Sequence, residues 1–367
     1  MKLTILTQNL KQGLETVSFS VINSGTLPIL SYVLLKAKAS GLEIIGTNLE
    51  IGITTKVRAK VDEEGEVVVP FKILSEFVNN INDEKIEIEK INQEIKLTTV
   101  HFKAQVLGIN AEEFPLLPKI SDFKEIKIKK SDFIRGAQKV IIAPSIDETR
   151  PVLAGVLFWL KNSEMRLVGT DSFRLSELKI KQEKKNPQEM KVILPLKVVQ
   201  IMLRILSKSL EEEFTIQISE NQTKFLVNDC ALVGRLIEGD YPDYEQIIPK
   251  SYKTRLILDK NELAKALKIL TSFSQEINKE VTIEVNKNKI ELTANSPQIG
   301  SNQAFLDGKT EGDNIKIKFN GAFIADGLNV IEGDEIIFDL TGEISPAVIR
   351  SPKDENFTYL VMPLKEE

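Results

Sequence analysis

The sequence is short of the residues that most enzymes use for catalysis and metal binding. Its 367 residues contain one histidine, His101, and one cysteine, Cys230. One histidine argues against histidine-based catalysis and against a metal site with several histidine ligands. One cysteine cannot form a disulfide within the chain, which favours a reducing, cytoplasmic location. We therefore expect no cofactor and no metal.

Long hydrophobic runs are also missing. No apolar stretch approaches the roughly 18 residues that a membrane-spanning helix needs, and the opening segment MKLTILTQNLKQGLE lacks the apolar core of a secretion signal. Hydrophobic residues make up 42% and charged residues 28% of the chain, as in ordinary globular proteins. The length favours two or three domains. The net charge of −5 argues against a domain that grips nucleic acid with a basic face.

What the sequence does contain is an internal repeat, the first feature to seek in a chain of this length. The segment Thr26–Glu50 aligns without a gap on the segment Thr149–Phe173, at an offset of 123 positions. The matching positions include Thr26/Thr149, Pro28/Pro151, Leu30/Leu153, Val33/Val156, Leu34/Leu157, Gly46/Gly169 and Thr47/Thr170. A match of this length indicates that one domain has been copied.

Each copy holds the same series of elements, and a more diverged third copy follows. An amphipathic helix comes first, then a β-hairpin, a short strand that ends at a proline, a second helix and further alternating strands. In the central copy the two hairpin runs are Val152–Leu160 and Met165–Gly169, with a polar turn at Lys161–Glu164. We place the domains at residues 1–121, 122–250 and 251–367. The predicted class is α+β, with two helices packed on antiparallel sheets in each copy.

The helix that opens the third copy has a clear start and a clear buried face. Asp259 and Glu262 form a capping-box pattern at its N-terminus. An apolar stripe follows at helical spacing, formed by Leu263, Ala266, Leu267 and Leu270.

Three head-to-tail copies would leave unpaired sheet edges at the two ends of the chain. A second chain that pairs with both edges would close a ring, the usual result when a heterologous contact returns on itself.

Carboxylates near the central hairpin leave an enzyme as an alternative reading. Asp147, Glu148 and Asp171 lie close to it in the sequence, and Asp171 could serve as an acid or base. However, the sequence has no phosphate-binding GxxxxGK[ST] loop and no GxSxG motif. We predict instead that Asp171 fixes a turn through hydrogen bonds to the backbone. A β-rich scaffold that does not bind DNA is the other alternative.

Five motifs, in order between residues 149 and 364, resemble the bacterial DNA polymerase III beta subunit, or sliding clamp, family. The motifs are Thr149-Arg150, Gly169–Leu175, Gly239–Tyr244 with Ile248-Pro249, Phe319-Asn320 with Phe323 and Asp326–Leu328, and Tyr359–Leu364. The resemblance implies a head-to-tail homodimer whose six DNA-clamp domains form a ring around duplex DNA. It also implies a processivity factor without catalytic activity. Its partners would be the replicative polymerase catalytic subunit, a clamp loader, translesion polymerases and repair proteins, at the nucleoid.

Cations at corresponding helices fit such a ring, because a weakly positive lumen needs only sequence-independent contacts while the outer face stays acidic. The residues that we predict to face DNA are Lys11, Lys72, Arg135, Lys139, Arg150, Lys197, Arg204, Lys208, Lys265 and Lys268. Arg150 could lie beside either the DNA path or the partner site. Each cation alone could also belong to an ordinary solvated helix face.

The resemblance further implies a hydrophobic pocket for short partner peptides between the second and third domains. Its predicted wall is Leu153, Thr170, Ser172, Phe173, Arg174, Leu175, Pro242, Ile247, Phe323, Ser345, Leu360, Val361, Met362 and Pro363. Methionine and leucine walls can repack around several peptides. Core packing is the alternative for Leu153, Leu175 and Val361. Phe173 stands where the family usually has histidine, Val152 where tyrosine is often found, and Gln246 where arginine is frequent, which bears on the peptide preferred.

The implied dimer contact joins the edge strand around Phe102–Leu107 to the third domain. Ile269 and Leu270 match family positions at that contact. Ile269 lies off the apolar stripe of its helix, which a partner surface would explain, although local packing is the alternative.

Overall fold

The computed structural model describes residues 1–117, 120–147, 149–274, 279–287, 289–298 and 300–365, without the side chains of 183–188. Within these residues the chain forms six α-helices. They are α1 (Thr7–Val17), α2 (Phe71–Asn80), α3 (Lys130–Val140), α4 (Leu196–Lys208), α5 (Lys260–Phe273) and α6 (Gly321–Val330). Each of the three predicted copies therefore contributes two helices, as expected. Glu148, one of the carboxylates considered above, lies outside the described residues.

The chain divides into two compact units. The first comprises Met1–Ser131 and Gln200–Leu236, and the second comprises Asp132–Val199 and Ile237–Glu367. Both units are built on antiparallel sheets.

The first unit contains two sheets. One has the order β5-β1-β7-β8-β9, and the other has the order β10-β13-β14-β15-β4-β3-β2-β6. Their strands are β1 (Lys2–Leu6), β2 (Tyr32–Lys38), β3 (Gly41–Thr47), β4 (Ile51–Val57), β5 (Ala59–Glu63), β6 (Gly65–Pro70), β7 (Lys85–Ile91), β8 (Glu94–Thr98), β9 (Lys103–Leu107), β10 (Lys124–Lys129), β13 (Glu213–Ile218), β14 (Gln222–Val227) and β15 (Cys230–Arg235). The β15–β4 pairing joins strands of the first two sequence copies into one sheet.

The second unit also contains two sheets, in the orders β11-β12-β24-β23-β22-β16-β20 and β19-β18-β17-β21. Their strands are β11 (Gly155–Thr170), β12 (Arg174–Pro195), β16 (Thr254–Asp259), β17 (Glu280–Asn286), β18 (Lys289–Ser296), β19 (Gly300–Leu306), β20 (Gly308–Gly312), β21 (Ile315–Asn320), β22 (Glu335–Leu340), β23 (Ala347–Ser351) and β24 (Asp354–Val361). The β12–β24 pairing joins the central hairpin to the last strand of the chain.

The sequence patterns account for the start of α5 and for the buried faces of α5 and α1. The Asp259 side chain caps α5 by accepting a hydrogen bond of 2.9 Å from the Glu262 backbone N–H, as the capping box predicts. The apolar stripe of α5 is buried, Leu270 included. In α1 the residues Leu10, Leu14 and Val17 are buried in the same way.

The central hairpin differs in one detail from its prediction. The run Met165–Gly169 and the part Gly155–Leu160 of the first run lie in β11, but Val152 lies in the 3-10 helix Pro151–Ala154 that precedes it. The two halves of β11 pair with different parts of β12. The ladder changes register on either side of Asn162, which has a left-handed φ of 54°. The predicted turn at Lys161–Glu164 is confirmed, because Arg150 before β11 lies 3.3 Å from Ser172 after it and Leu157 packs in one cluster with Val168, so the two halves of β11 fold back on each other at Asn162.

In the part of the chain that the structure describes, no helix has both the length and the apolar character needed to cross a membrane.

Candidate functional site

The connection between β11 and β12 is a tight turn fixed by Asp171. The Asp171 Oδ1 atom accepts hydrogen bonds from the backbone N–H groups of Phe173 (2.8 Å) and Arg174 (2.9 Å). The Thr170 hydroxyl donates to the Arg174 carbonyl at 2.7 Å, and Ser172 takes a left-handed φ of 80°. The predicted turn role of Asp171 is confirmed, and its carboxylate is engaged in structure.

The last strand of the chain lies beside this turn. In the ladder Arg174 is paired with Val361 and Leu175 with Leu360. The Met362 backbone N–H then donates to the Phe173 carbonyl at 2.8 Å. Two segments far apart in the sequence therefore form one continuous wall.

Arg174 ties this wall to α6. Its Nε atom lies 3.0 Å from Asp171, its Nη1 atom donates to Asp326, and its guanidinium lies 4.4 Å from the Phe323 ring centre. Burial alone lowers the pKa of Arg174, but its interactions with Tyr359, Asp326 and Asp171 outweigh burial and raise that pKa, so the side chain stays charged.

The packing of α6 on β24 requires a glycine. The Tyr359 hydroxyl donates to the Phe323 carbonyl at 2.7 Å. A Cβ atom at Gly327 would lie 2.3 Å from the Tyr359 ring, which leaves no room for a side chain. This close approach fixes the position of Phe323 beside Arg174.

The structure thus brings the predicted pocket residues together at one end of the β11–β12 hairpin, but not all of them at the surface. Phe173 and Ile247 are about half exposed, at 55% and 45%. Leu175, Leu360 and Val361 are at most 1% exposed. For Leu175 and Val361 this burial agrees with the core alternative, and Leu360 is corrected from a contact residue to core, because it packs in the same buried cluster as Leu175. Leu153 and Thr170 are buried as well.

A cleft of about 470 Å³ opens beside this wall. It is lined by Ile247, Ser345 and Met362 of the predicted set. It is also lined by Lys250, Tyr252, Lys253 and Thr341, which the sequence reasoning missed. The sequence feature that indicates the first three of these residues is the basic segment Pro249–Arg255, which overlaps the motif Ile248-Pro249. The Arg150 Nη1 atom lies 3.3 Å from the Ser172 hydroxyl, so Arg150 lies at the hairpin end, the pocket alternative.

Besides Arg150 and Lys139, the predicted DNA-facing cations divide into three groups. Lys11, Lys197, Lys265 and Lys268 are exposed and form no ion pair with another described residue. Lys72 pairs with Glu76, Lys208 pairs with Glu15, and Arg204 stacks on Phe19. Arg135 is partly exposed but lies 2.9 Å from Asp354.

Lys139 does not face solvent, so its prediction as a DNA-facing residue is wrong. It is 5% exposed, and its Nζ atom lies 2.6 Å from Asp354 and 2.9 Å from Glu332. The ammonium also lies 4.9 Å from the Phe357 ring centre. A buried cation with two acidic partners is part of the fold.

The two residues proposed for the dimer contact have different surroundings. Ile269 is 54% exposed, whereas Leu270 is fully buried within its own chain. Leu270 is therefore corrected to a core residue that cannot reach a partner. The strand β9 is an edge of its sheet, and the nearby Phe102 and Leu107 are exposed.

Comparison with known proteins agrees along the chain. Models of the N-terminal, central and C-terminal domains of the DNA polymerase III beta subunit match residues 1–118, 127–243 and 245–365. The beta sliding clamps of Bacillus subtilis and Synechococcus elongatus are 29% and 28% identical to this chain. The alignments cover 100% of this chain and 100% and 99% of those relatives.

Solved structures agree as well. The crystal structure of the Bacillus subtilis sliding clamp superposes with a TM-score of 0.94 at 29% identity, and covers 100% of both chains. The Thermotoga maritima beta subunit gives a TM-score of 0.93 at 27% identity, with the same coverage. A Pseudomonas aeruginosa clamp bound to griselimycin, at 24% identity and a TM-score of 0.95, shares the fold.

Three domain models match in order along the chain, and β12 pairs with β24 as one wall of the site. The chain therefore belongs to the DNA polymerase III beta subunit family, the beta sliding clamps.

Proposed function

We propose that this chain acts as a sliding clamp that encircles duplex DNA and tethers the replicative polymerase to it. The observation that carries the proposal is the match, in order, of three clamp-domain models over residues 1–365. The family is a non-catalytic processivity subunit, so the chemistry of synthesis belongs to the polymerase. We also propose the domain limits 1–121, 122–250 and 251–367, and a cytoplasmic location at the nucleoid.

The proposed DNA contact is weak and sequence-independent. Exposed lysines on α1, α4 and α5 (Lys11, Lys197, Lys265 and Lys268) support it, together with Lys72, Arg204 and Lys208. A closed ring is held by topology, so a chain with a net charge of −5 needs few phosphate contacts. Weak contacts also let the ring slide, whereas base-specific readout would stop it.

The proposed partner site is the wall formed by the turn after β11, the end of β24 and α6. Phe173, Ile247 and Met362 offer apolar surface, and Arg174 holds Phe323 and Asp326 in place. Leucine and aromatic anchors of a short peptide fit such a surface. We propose that the polymerase catalytic subunit, the clamp loader, translesion polymerases and repair proteins use this site in turn.

The proposed ring is a head-to-tail homodimer, with the β9 edge of one chain against the third domain of the other. Ile269 supports this contact because a large aliphatic side chain is exposed on a helix.

Changing Ile269 to aspartate is expected to weaken dimerisation by about 30-fold or more, because a charge would be buried in an apolar contact. Sedimentation velocity across a concentration series measures the change. Ile344→Asp is the matched control, because Ile344 is also exposed, at 82%, but lies in the connection between β22 and β23 and not on α5. An Ile269→Asp protein that dimerises as well as the control would refute the assignment.

Polymerase processivity on a primed circular template tests the function itself. The proposal predicts that the chain, with its clamp loader and ATP, lengthens the product of each binding event. A scaffold that does not bind DNA would leave product length unchanged. Synthesis by the chain without added polymerase would point to an enzyme.

A further inference from the structure

A groove runs along the segment 247–253, beside the proposed pocket. It consists of the cleft of about 470 Å³ described above and a second cleft of about 320 Å³. The residues that line both are Pro249, Lys250, Ser251, Tyr252 and Thr341. We name these two clefts the connector groove. It is continuous with the pocket, because its first cleft also includes Ile247, Ser345 and Met362.

The connector groove is basic. Lys250, Lys253, Arg255 and Arg350 line it, and Asp339 is the one carboxylate among the described lining residues. Lys250 and Lys253 are exposed and form no ion pair with another described residue. Glu311 lies at the border, where it accepts a hydrogen bond of 3.4 Å from the Tyr252 hydroxyl. A cationic groove on a chain of net charge −5 is a local departure from the overall balance.

The wall of the groove has an unbalanced positive charge. Asp339 is nearly buried and accepts from Arg255 at 2.6 and 2.9 Å and from Arg350 at 3.2 Å. One carboxylate therefore serves two guanidinium groups. The Arg350 Nε atom is buried without a hydrogen-bond partner. That atom is too buried to meet a ligand, so an anionic group in the groove would meet the exposed Lys250 and Lys253 side chains.

We propose that the connector groove binds acidic residues that flank the hydrophobic motif of a partner peptide. The inference rests on the proposed function and adds a specificity element to it. A peptide anchored at Ile247 and Met362 continues into the groove on one side of its motif, where Lys250 and Lys253 can meet carboxylates. Nucleic acid is the other anionic ligand, but the groove adjoins the peptide wall and not the exposed lysines of α1, α4 and α5.

Three fluorescein-labelled synthetic peptides test this proposal by fluorescence anisotropy with the full chain. All share one central motif with leucine and phenylalanine anchors. One has neutral ends, one has three aspartates before the motif, and one has three aspartates after it. We expect one acidic peptide to bind about fivefold tighter than the neutral peptide at low salt, from two exposed charge pairs. The other acidic peptide gains nothing, because the net negative charge of the chain repels it, and added salt removes the advantage.

Variants locate the effect. In Lys250→Gln/Lys253→Gln the affinity ratio of the favoured acidic peptide to the neutral peptide is expected to fall to about one. The matched control, Lys309→Gln/Lys353→Gln, removes two exposed lysines outside the groove and keeps the ratio.

Each other outcome has a definite meaning. Equal affinity of the three peptides for the unmodified chain would overturn the groove and leave the pocket standing. Failure of all three to bind would overturn the pocket as well. An acidic advantage that survives in Lys250→Gln/Lys253→Gln would overturn the groove. The proposal would also be overturned if Lys250→Gln/Lys253→Gln lost affinity for a short duplex DNA but kept its preference for the acidic peptide, because the groove would then bind nucleic acid.

Discussion

Replacing Lys139 with methionine is expected to lower the free energy of unfolding by about 3 kcal/mol, because it breaks a buried ion pair. The Lys139 Nζ atom lies 2.6 Å from Asp354, and both side chains are almost fully buried. Methionine fills similar volume but leaves the Asp354 carboxylate with Arg135 as its cation. Urea-induced unfolding followed by circular dichroism measures the loss.

Lys72→Met is the matched control for this change. The Lys72 side chain is 83% exposed, and its Nζ atom lies 3.9 Å from Glu76 within one helix. Exposed pairs of this kind contribute under about 0.5 kcal/mol. Equal losses in the two variants would contradict the structural role given to Lys139.

The cost of Lys139→Met is also expected to depend on pH. Burial raises the pKa of Asp354, but hydrogen bonds from Lys139 and Arg135 outweigh burial and lower that pKa. A carboxyl group with a lowered folded-state pKa stabilises the fold above its unfolded pKa of about 3.9, and this contribution is lost as pH falls. The difference between the unmodified chain and the variant is therefore full near neutral pH and shrinks below about pH 4.

Replacing Arg174 with methionine is expected to weaken binding of a leucine- and phenylalanine-containing peptide by about 30-fold or more. The change removes the hydrogen bonds to Asp171 and Asp326 and the contact with Phe323. The wall then loses the group that holds α6 against the hairpin end. Fluorescence anisotropy with a labelled peptide measures the affinity.

Two further variants separate this effect from general unfolding. Arg174→Lys keeps the charge but not the planar fork, so it is expected to recover only part of the affinity. Arg58→Met removes an exposed arginine in the other compact unit and is expected to bind normally. If Arg174→Met binds the peptide as well as Arg58→Met does, Arg174 does not organise the pocket.

Local patterns in the sequence predict a large part of this fold. The ungapped repeat predicts that the β2–β3 hairpin of the first copy recurs in β11, and the Asp259–Glu262 pattern predicts the cap that starts α5. The tight turn at Asp171 also follows from its residue types, because aspartate side chains bond to backbone N–H groups within the next three residues.

Leu270 shows where periodicity was the better guide. Its place on the apolar stripe with Leu263, Ala266 and Leu267 predicts a core position, and it is fully buried. The family resemblance suggested a partner contact for the same residue, but a fully buried side chain cannot make such a contact. Ile269, off the stripe, keeps that prediction.

Lys139 shows what local patterns cannot give. Four residues after Arg135 and off the stripe, it has the signature of a solvated cation. Its partner Asp354 lies 215 positions away in the sequence, and only the folded chain brings the two together. The connector groove is likewise formed only by folding, because its wall combines Arg255, Asp339 and Arg350 from three strands of one sheet.

Retention on circular and linear DNA tests the central claim, that the chain is held on DNA by topology, most directly. The chain is loaded on a nicked circular plasmid with its clamp loader and ATP, the free protein is removed, and half of the sample is cut once with a restriction enzyme. Gel filtration then measures the protein that elutes with DNA. The account predicts that the circle retains the protein and that the cut plasmid sheds it. Equal retention on both would contradict it, because direct contacts would then hold the protein in place.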